Sequence, residues 1–196
     1  MPNSTAIFDT LYIVSKSESQ YNSLSLMEIN FLGYFGCLLS LYKGNPVSDW
    51  SYSFMRNEQG APVSPELAES CELLVRKGQL ESVEACYHIT EEGRERLSFM
   101  KSLEYFKARQ EYLMAACDCL LTGTIVDLLK TLSGDTVITE SSVHKIKYLN
   151  NDENSAISKL YQQFGVVRQA IGERKNLFIP ALSWLEYLKR HRLRLA

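Results

Sequence analysis

Apolar residues in this chain fall into helical stripes and runs more often than into strict alternation. The strongest run is Leu26–Tyr42, LMEINFLGYFGCLLSLY. It is apolar on almost every side, which predicts a buried helix. Ser25 stands at its N-cap position, and Gly44, Asn45 and Pro46 end it. Ala6–Val14 (AIFDTLYIV) is a short apolar segment whose pattern does not separate helix from strand, and the polar loop SKSESQYNS follows it. Asp49–Arg56 (DWSYSFMR) is aromatic-rich and fits either a short strand or a short helix. Ser64, Pro65 and Glu66 then read as an N-cap followed by proline at the first helical position. The helix Pro65–Lys77 sets Leu67, Cys71, Leu74 and Val75 on one face, and Gly78 stops it. QLESV and ACYHIT alternate as two short strands do. Thr90 is the next N-cap, with Glu91 and Glu92 at the positive end of the helix dipole. Gly93 leaves room for the preceding strand to cross.

From Thr90 a helix, or a pair of successive helices, is expected to run to about Leu121. Leu103, Phe106, Leu113, Cys117 and Leu120 follow a three-four rhythm, a seam that can pack inward or pair with a second subunit. GTIVDLLKTL extends it and SGD breaks it, while Val137–Leu149 is undecided. Ser155–Ile171 is the clearest amphipathic helix, with Ile157, Leu160, Tyr161, Phe164, Val167 and Ile171 on one stripe. Gly172 stops it, and Pro180 is expected to start a last helix carrying Leu182, Leu185 and Leu188. The fold class is therefore mainly α with a small β-wing. The expected divisions are an N-terminal segment 1–25, a module 26–100, and a helical C-terminal region 101–196.

Charge supports a division near residue 100. Residues 1–100 carry 7 Lys/Arg against 13 Asp/Glu, and residues 101–196 carry 14 against 10. The five cysteines are odd in number and irregularly spaced. No basic region leads into an apolar run at the N-terminus, so a secretory signal is not expected. Reduced thiols and a cytoplasmic location follow as expectations. Leu26–Tyr42 contains Glu28 and falls short of the roughly 20 residues a membrane span needs, so no membrane partner is expected.

Residues 26–97 thus read helix, short element, helix, hairpin, helix. That order, with the phrase LLVRKGQLESVEACYHITEEGRERL, resembles a winged helix-turn-helix. A narrower likeness lies in LYKGNPVSDWSYSFMRNEQGAPVSPEL, which resembles the Panacea (SocA-like) domains of bacteria. Tyr42, Gly44 and Pro46 match the helix-end part of that pattern, and Pro62, Val63 and Leu67 match its turn; Ala61 departs from it. The winged-helix middle components of bacterial ABC-type three-component defence systems are similar at this level. Both families imply an antitoxin-like, adaptor or accessory role and a protein partner from a neighbouring gene.

Winged helices mostly read DNA, which requires cations against phosphate. Here Gly60–Leu97 carries four basic residues, Arg76, Lys77, Arg94 and Arg96, against eight glutamates. The positions that would meet base edges offer Glu66 and Glu69. Glu66, Glu69, Glu72, Glu81 and Glu84 are therefore expected to form an acidic, partner-binding face, although each singly also fits a solvated helix or strand surface. The alternative is a DNA-binding regulator dimerised through the helix around residues 103–120. Arg76 and Lys77, with the tail residues Lys189, Arg190, Arg192 and Arg194, would then contact nucleic acid or an acidic partner. Cations near a helix end also complement its dipole without any ligand.

Catalytic signals are weak. No phosphate-binding glycine loop is present, and His88, His144 and His191 are scattered. Cys117 and Cys119 would face different directions on a helix. The two Ser-x-x-Lys strings, at Ser98 and Ser142, lack supporting motifs. Neither a metal nor a cofactor is expected, and a non-catalytic role fits best.

Overall fold

The computed structural model describes residues 3–144, 147–172 and 176–195, with the side chains of 143, 144 and 191–195 outside the description. The first helix, α1 (Ser4–Ser17), is capped by the Asn3 side chain, which accepts from the Thr5 and Ala6 amides. It resolves the undecided segment Ala6–Val14. Phe8, Leu11 and Ile13 are buried there, and so are Asp9 and Thr10. Polar residues on buried faces erase the stripe by which a sequence announces a surface helix.

A two-residue strand β1 (Leu24–Ser25) leads into α2 (Leu26–Tyr42). Ser25 and Glu28 form the full capping box, with the Ser25 amide donating to Glu28 at 2.6 Å. Most of α2 is buried, as its all-round apolarity requires. Gly36 lets α5 (Lys107–Asp118) approach closely, because a β-carbon there would meet Leu113 Cδ2 at 2.9 Å. A short 3₁₀ turn at Val47–Trp50 and the hairpin β2 (Met55–Arg56) and β3 (Pro62–Val63) replace the single element expected over Asp49–Arg56.

Helix α3 (Pro65–Arg76) buries Leu67, Ser70, Cys71 and Leu74. Ser64 occupies its N-cap position without a side-chain cap bond; its hydroxyl donates to Glu66 instead. The hairpin β4 (Leu80–Val83) and β5 (Cys86–Ile89) pairs in register Leu80↔Ile89 through Val83↔Cys86. Its turn residues Glu84 and Ala85 both have positive φ, the signature of a tight type I′ turn. β1 joins through Leu24↔Tyr87, giving a three-stranded sheet ordered β1-β5-β4. Helix α4 (Glu91–Ser102) starts at Thr90, whose hydroxyl accepts from the Gly93 amide.

Of the two expectations for the stretch from Thr90 to about Leu121, the chain takes the pair of successive helices, α4 and α5. Leu103 is extended (φ −77°, ψ 130°) and a 3₁₀ turn follows, which lets Phe106 stack on Phe8 at 4.2 Å. Phe106, Leu113, Cys117 and Leu120 all point into the core. Of the two uses the seam allowed, these four residues take the inward one, while Leu103 stays exposed. Helix α6 (Ile125–Leu132) is a separate element capped by Thr124 and bent by 119° from the preceding helical stretch, rather than an extension of it.

Asp135 ends this bend and starts α7 (Thr136–His144), its carboxylate accepting from the Val137 and Ile138 amides and from the Tyr34 hydroxyl. Burial pushes its pKa up to about 7. The unfolded chain loses this proton near 3.8 and the folded chain keeps it to about 7. Stability therefore declines as pH rises through that window, by roughly 4 kcal/mol at most. Asp135→Asn retains a capping oxygen and should flatten that part of the slope in urea melts at pH 4–7.

Helix α8 (Ser155–Ile171) is capped by Asn154 and ends at Gly172, as its stripe predicted. Helix α9 (Phe178–Leu195) begins two residues before Pro180, which sits in its first turn. One hydrophobic cluster extends from Ala6 to Leu188 and includes residues of α1, α2, α5, α8 and α9. Residues on both sides of the charge step at residue 100 share this cluster, and α1 contributes buried residues to it. Among the described residues no single helix is long and apolar enough to cross a membrane.

Candidate functional site

The outward face of α3 and the β4–β5 hairpin form the surface singled out by the sequence. Helical spacing places Glu69, Glu72 and Arg76 on one stripe opposite the buried Leu67, Cys71 and Leu74. All three are exposed, as is Lys77 just beyond the helix. Among the described residues no ion pair engages Glu69, Glu72, Arg76 or Lys77. The predicted acidic set is nonetheless divided. Glu66 lies on the flank of α3, half-buried, accepting from Ser64 Oγ at 2.8 Å. Glu81 lies opposite His88 on the sheet face away from Leu80, and Glu84 sits at the hairpin tip.

Beside this stripe is a cleft of about 320 Å³ lined by Glu72, Val75, Arg76, Ser82 and Tyr87. Val75 and Tyr87 make its apolar part, with Glu72 and Arg76 on its rim. The cationic alternative is dispersed. Arg94 bonds Glu18 at 2.8 Å and Glu91 at 3.4 Å. Lys189 is 3.5 Å from Glu186, and Arg190 is exposed. Arg168 is drawn over the Tyr161 and Tyr42 rings. The side chains of Arg192 and Arg194 lie outside the described residues.

A second constellation escaped the sequence reading. Arg109 on α5 bonds Asp9 on α1 twice, Nε to Oδ1 at 2.6 Å and Nη2 to Oδ2 at 2.7 Å. Its guanidinium lies 3.6 Å from the Trp50 ring centre, and Tyr52 donates to Asp9 Oδ2 at 2.6 Å. Burial pushes Asp9 up, with Arg109 opposing; burial pushes Arg109 down, but Asp9 and Tyr52 together outweigh it and leave Arg109 raised. A guanidinium does not give up its proton, so the pair is a salt bridge whenever Asp9 is ionised. It underlies a cleft of about 240 Å³ whose lining includes Thr5, Asn45, Tyr105 and Tyr112. On the other side of Ser51 is a cleft of about 510 Å³ lined by residues including Tyr52, Glu66, Tyr148 and Asn150. Asn150 is committed to the backbone there, donating to Tyr52 O and accepting from Phe54 N. The only sequence signal for this constellation was the polar Asp9 inside an apolar segment and the Arg109 inside an apolar seam.

Chemically these groups hold the chain together. Asp9 accepts three hydrogen bonds, two from Arg109 and one from Tyr52, and is fully inaccessible to solvent. Burial pushes the thiols of Cys71, Cys117 and Cys119 up to about 12 and that of Cys37 further, so none of the four is a nucleophile near neutral pH. Among the described residues no group of three or more His, Cys, Asp or Glu is placed to hold a metal ion. Comparison with protein-family models, curated proteins and solved structures gave no match.

Proposed function

We propose that this chain is a non-catalytic bacterial interaction subunit, an adaptor or antitoxin-like accessory component, built on a winged helix and engaging a protein encoded nearby. The order α1–β1–α2–α3–β4–β5, with β1 completing the hairpin sheet, supports the winged-helix reading. The β2–β3 hairpin is then an insertion between α2 and α3. The observation that carries the functional reading is the outward stripe of α3. In a DNA reader this stripe meets the groove. Here it presents Glu69 and Glu72 without compensating ion pairs and with Arg76 as its single cation. Carboxylates in that position repel phosphate and suit a basic protein surface.

The test is co-expression with the products of neighbouring genes. A complex is expected that survives purification and is lost in Glu69→Lys/Glu72→Lys, while the variant's circular dichroism and melting stay as in the parent. A complex unaffected by those changes would count against this surface. Tight duplex binding at low salt, abolished by Arg76→Glu/Lys77→Glu, would replace the reading with a DNA-binding one.

A further inference from the structure

Resting on that interaction reading, we infer that the partner contributes an extended segment, with lysine or arginine alternating with apolar residues, that adds as a fourth strand to the free edge of β4. The sheet order β1-β5-β4 leaves β4 with one neighbour. Thr90 N donates to Gln79 O at 3.3 Å, and bonded pairs alternate along an antiparallel ladder. The bonded pairs with β5 are therefore Glu81↔His88 and Val83↔Cys86, and the main-chain groups of Leu80 and Ser82 point to the open edge. Leu80 is buried, so the accessible edge centres on exposed Ser82.

Side chains on the two faces specify the occupant. Ser82 and Tyr87 share the face that borders the cleft against Val75 of α3. An added strand would send every second side chain toward that cleft, which suits an aliphatic residue. The intervening side chains would lie beside Glu81 and Val83, the latter 54% exposed, where Glu81 and the nearby tip residue Glu84 favour cations. A second copy of this chain pairing β4 with β4 would bring two sets of these glutamates together, so a basic foreign segment is the better complement.

The experiment titrates the isotope-labelled full chain with a blocked octapeptide of alternating lysine and valine. Binding should slow amide exchange at Ser82 and move the resonances of Val75, Glu81 and Tyr87. Methylating the peptide's backbone nitrogens preserves its charge but removes its donors, and should weaken binding about tenfold. Ser82→Pro should do the same while leaving the β4–β5 ladder intact, since the Ser82 amide takes no part in it. Glu81→Gln should weaken binding roughly two- to threefold at low salt and less at high salt. Equal binding by the methylated peptide, or resonance changes confined to other elements, would overturn strand addition. If that happened while Glu69→Lys/Glu72→Lys still abolished the complex with the neighbouring gene product, the interaction surface would stand and only the mode of docking would be wrong. Loss of both would remove the surface as well.

Discussion

Replacing Arg109 with alanine should destabilise the protein by about 3–5 kcal/mol, because it leaves the Asp9 carboxylate buried and unpaired. For a chain of this size that corresponds to a fall in melting temperature of roughly 6–20 °C. Asp9 is fully inaccessible and Arg109 nearly so. Their two bonds join α1 to α5 across 100 residues of sequence. Trp50, stacked on the guanidinium, and Tyr52, bonded to the carboxylate, attach the segment after α2 to the same point. The loss should therefore loosen three parts of the fold together, visible as faster hydrogen exchange in α1, in α5 and around Trp50. An apolar replacement of both partners, Asp9→Leu with Arg109→Met, should recover most of the stability, since the desolvation penalty disappears with the charges. A double variant no better than Arg109→Ala would show that the cluster stabilises through packing on Trp50 rather than through charge.

Gly93→Ala should be nearly as damaging, at the upper end of the about 1–3 kcal/mol typical of overpacking. A β-carbon on Gly93 would overlap the Gln79 carbonyl oxygen and would come within 2.9 Å of Ile89 Cγ1. Neither neighbour can yield cheaply. Gln79 O accepts the Thr90 amide, and Ile89 is a buried strand residue paired with Leu80. The substitution should separate the start of α4 from the β4–β5 hairpin. Chemical denaturation should show a lower midpoint, and the amides of Gln79 and Thr90 should lose protection first. An alanine variant with parental stability would mean that α4 can shift as a body without cost.

Residues 26–97 were largely legible because their signals are local. Ser25, Thr90, Gly44, Gly78 and Pro65 each act on the backbone within one turn, and each lies where the pattern placed it. Alternation marked the hairpin, since one of its faces is solvated. The choice between one helix and two after Thr90 stayed open because no glycine or proline marks the break at Leu103. Only the stacking of Phe106 on Phe8, nearly a hundred residues away, explains why the chain turns there. A count of carboxylates around α3 carries no information about the direction each one takes. Glu66 turned to its own N-terminal loop, and Glu81 went to the far face of the sheet.

What the sequence alone determined is the starts and stops of α2, α3 and α8, the start of α4, the β4–β5 hairpin, and the sign of charge around α3. These depend on hydrogen bonds and dipoles that reach only a few residues. Only the tertiary structure decided that α1 is core, that the seam residues from Phe106 to Leu120 face inward, and that Asp9 meets Arg109 beneath Trp50. Those outcomes depend on which apolar faces bury one another and on which buried charges must then find a partner. That choice is made between segments far apart in the chain, where no local pattern records it.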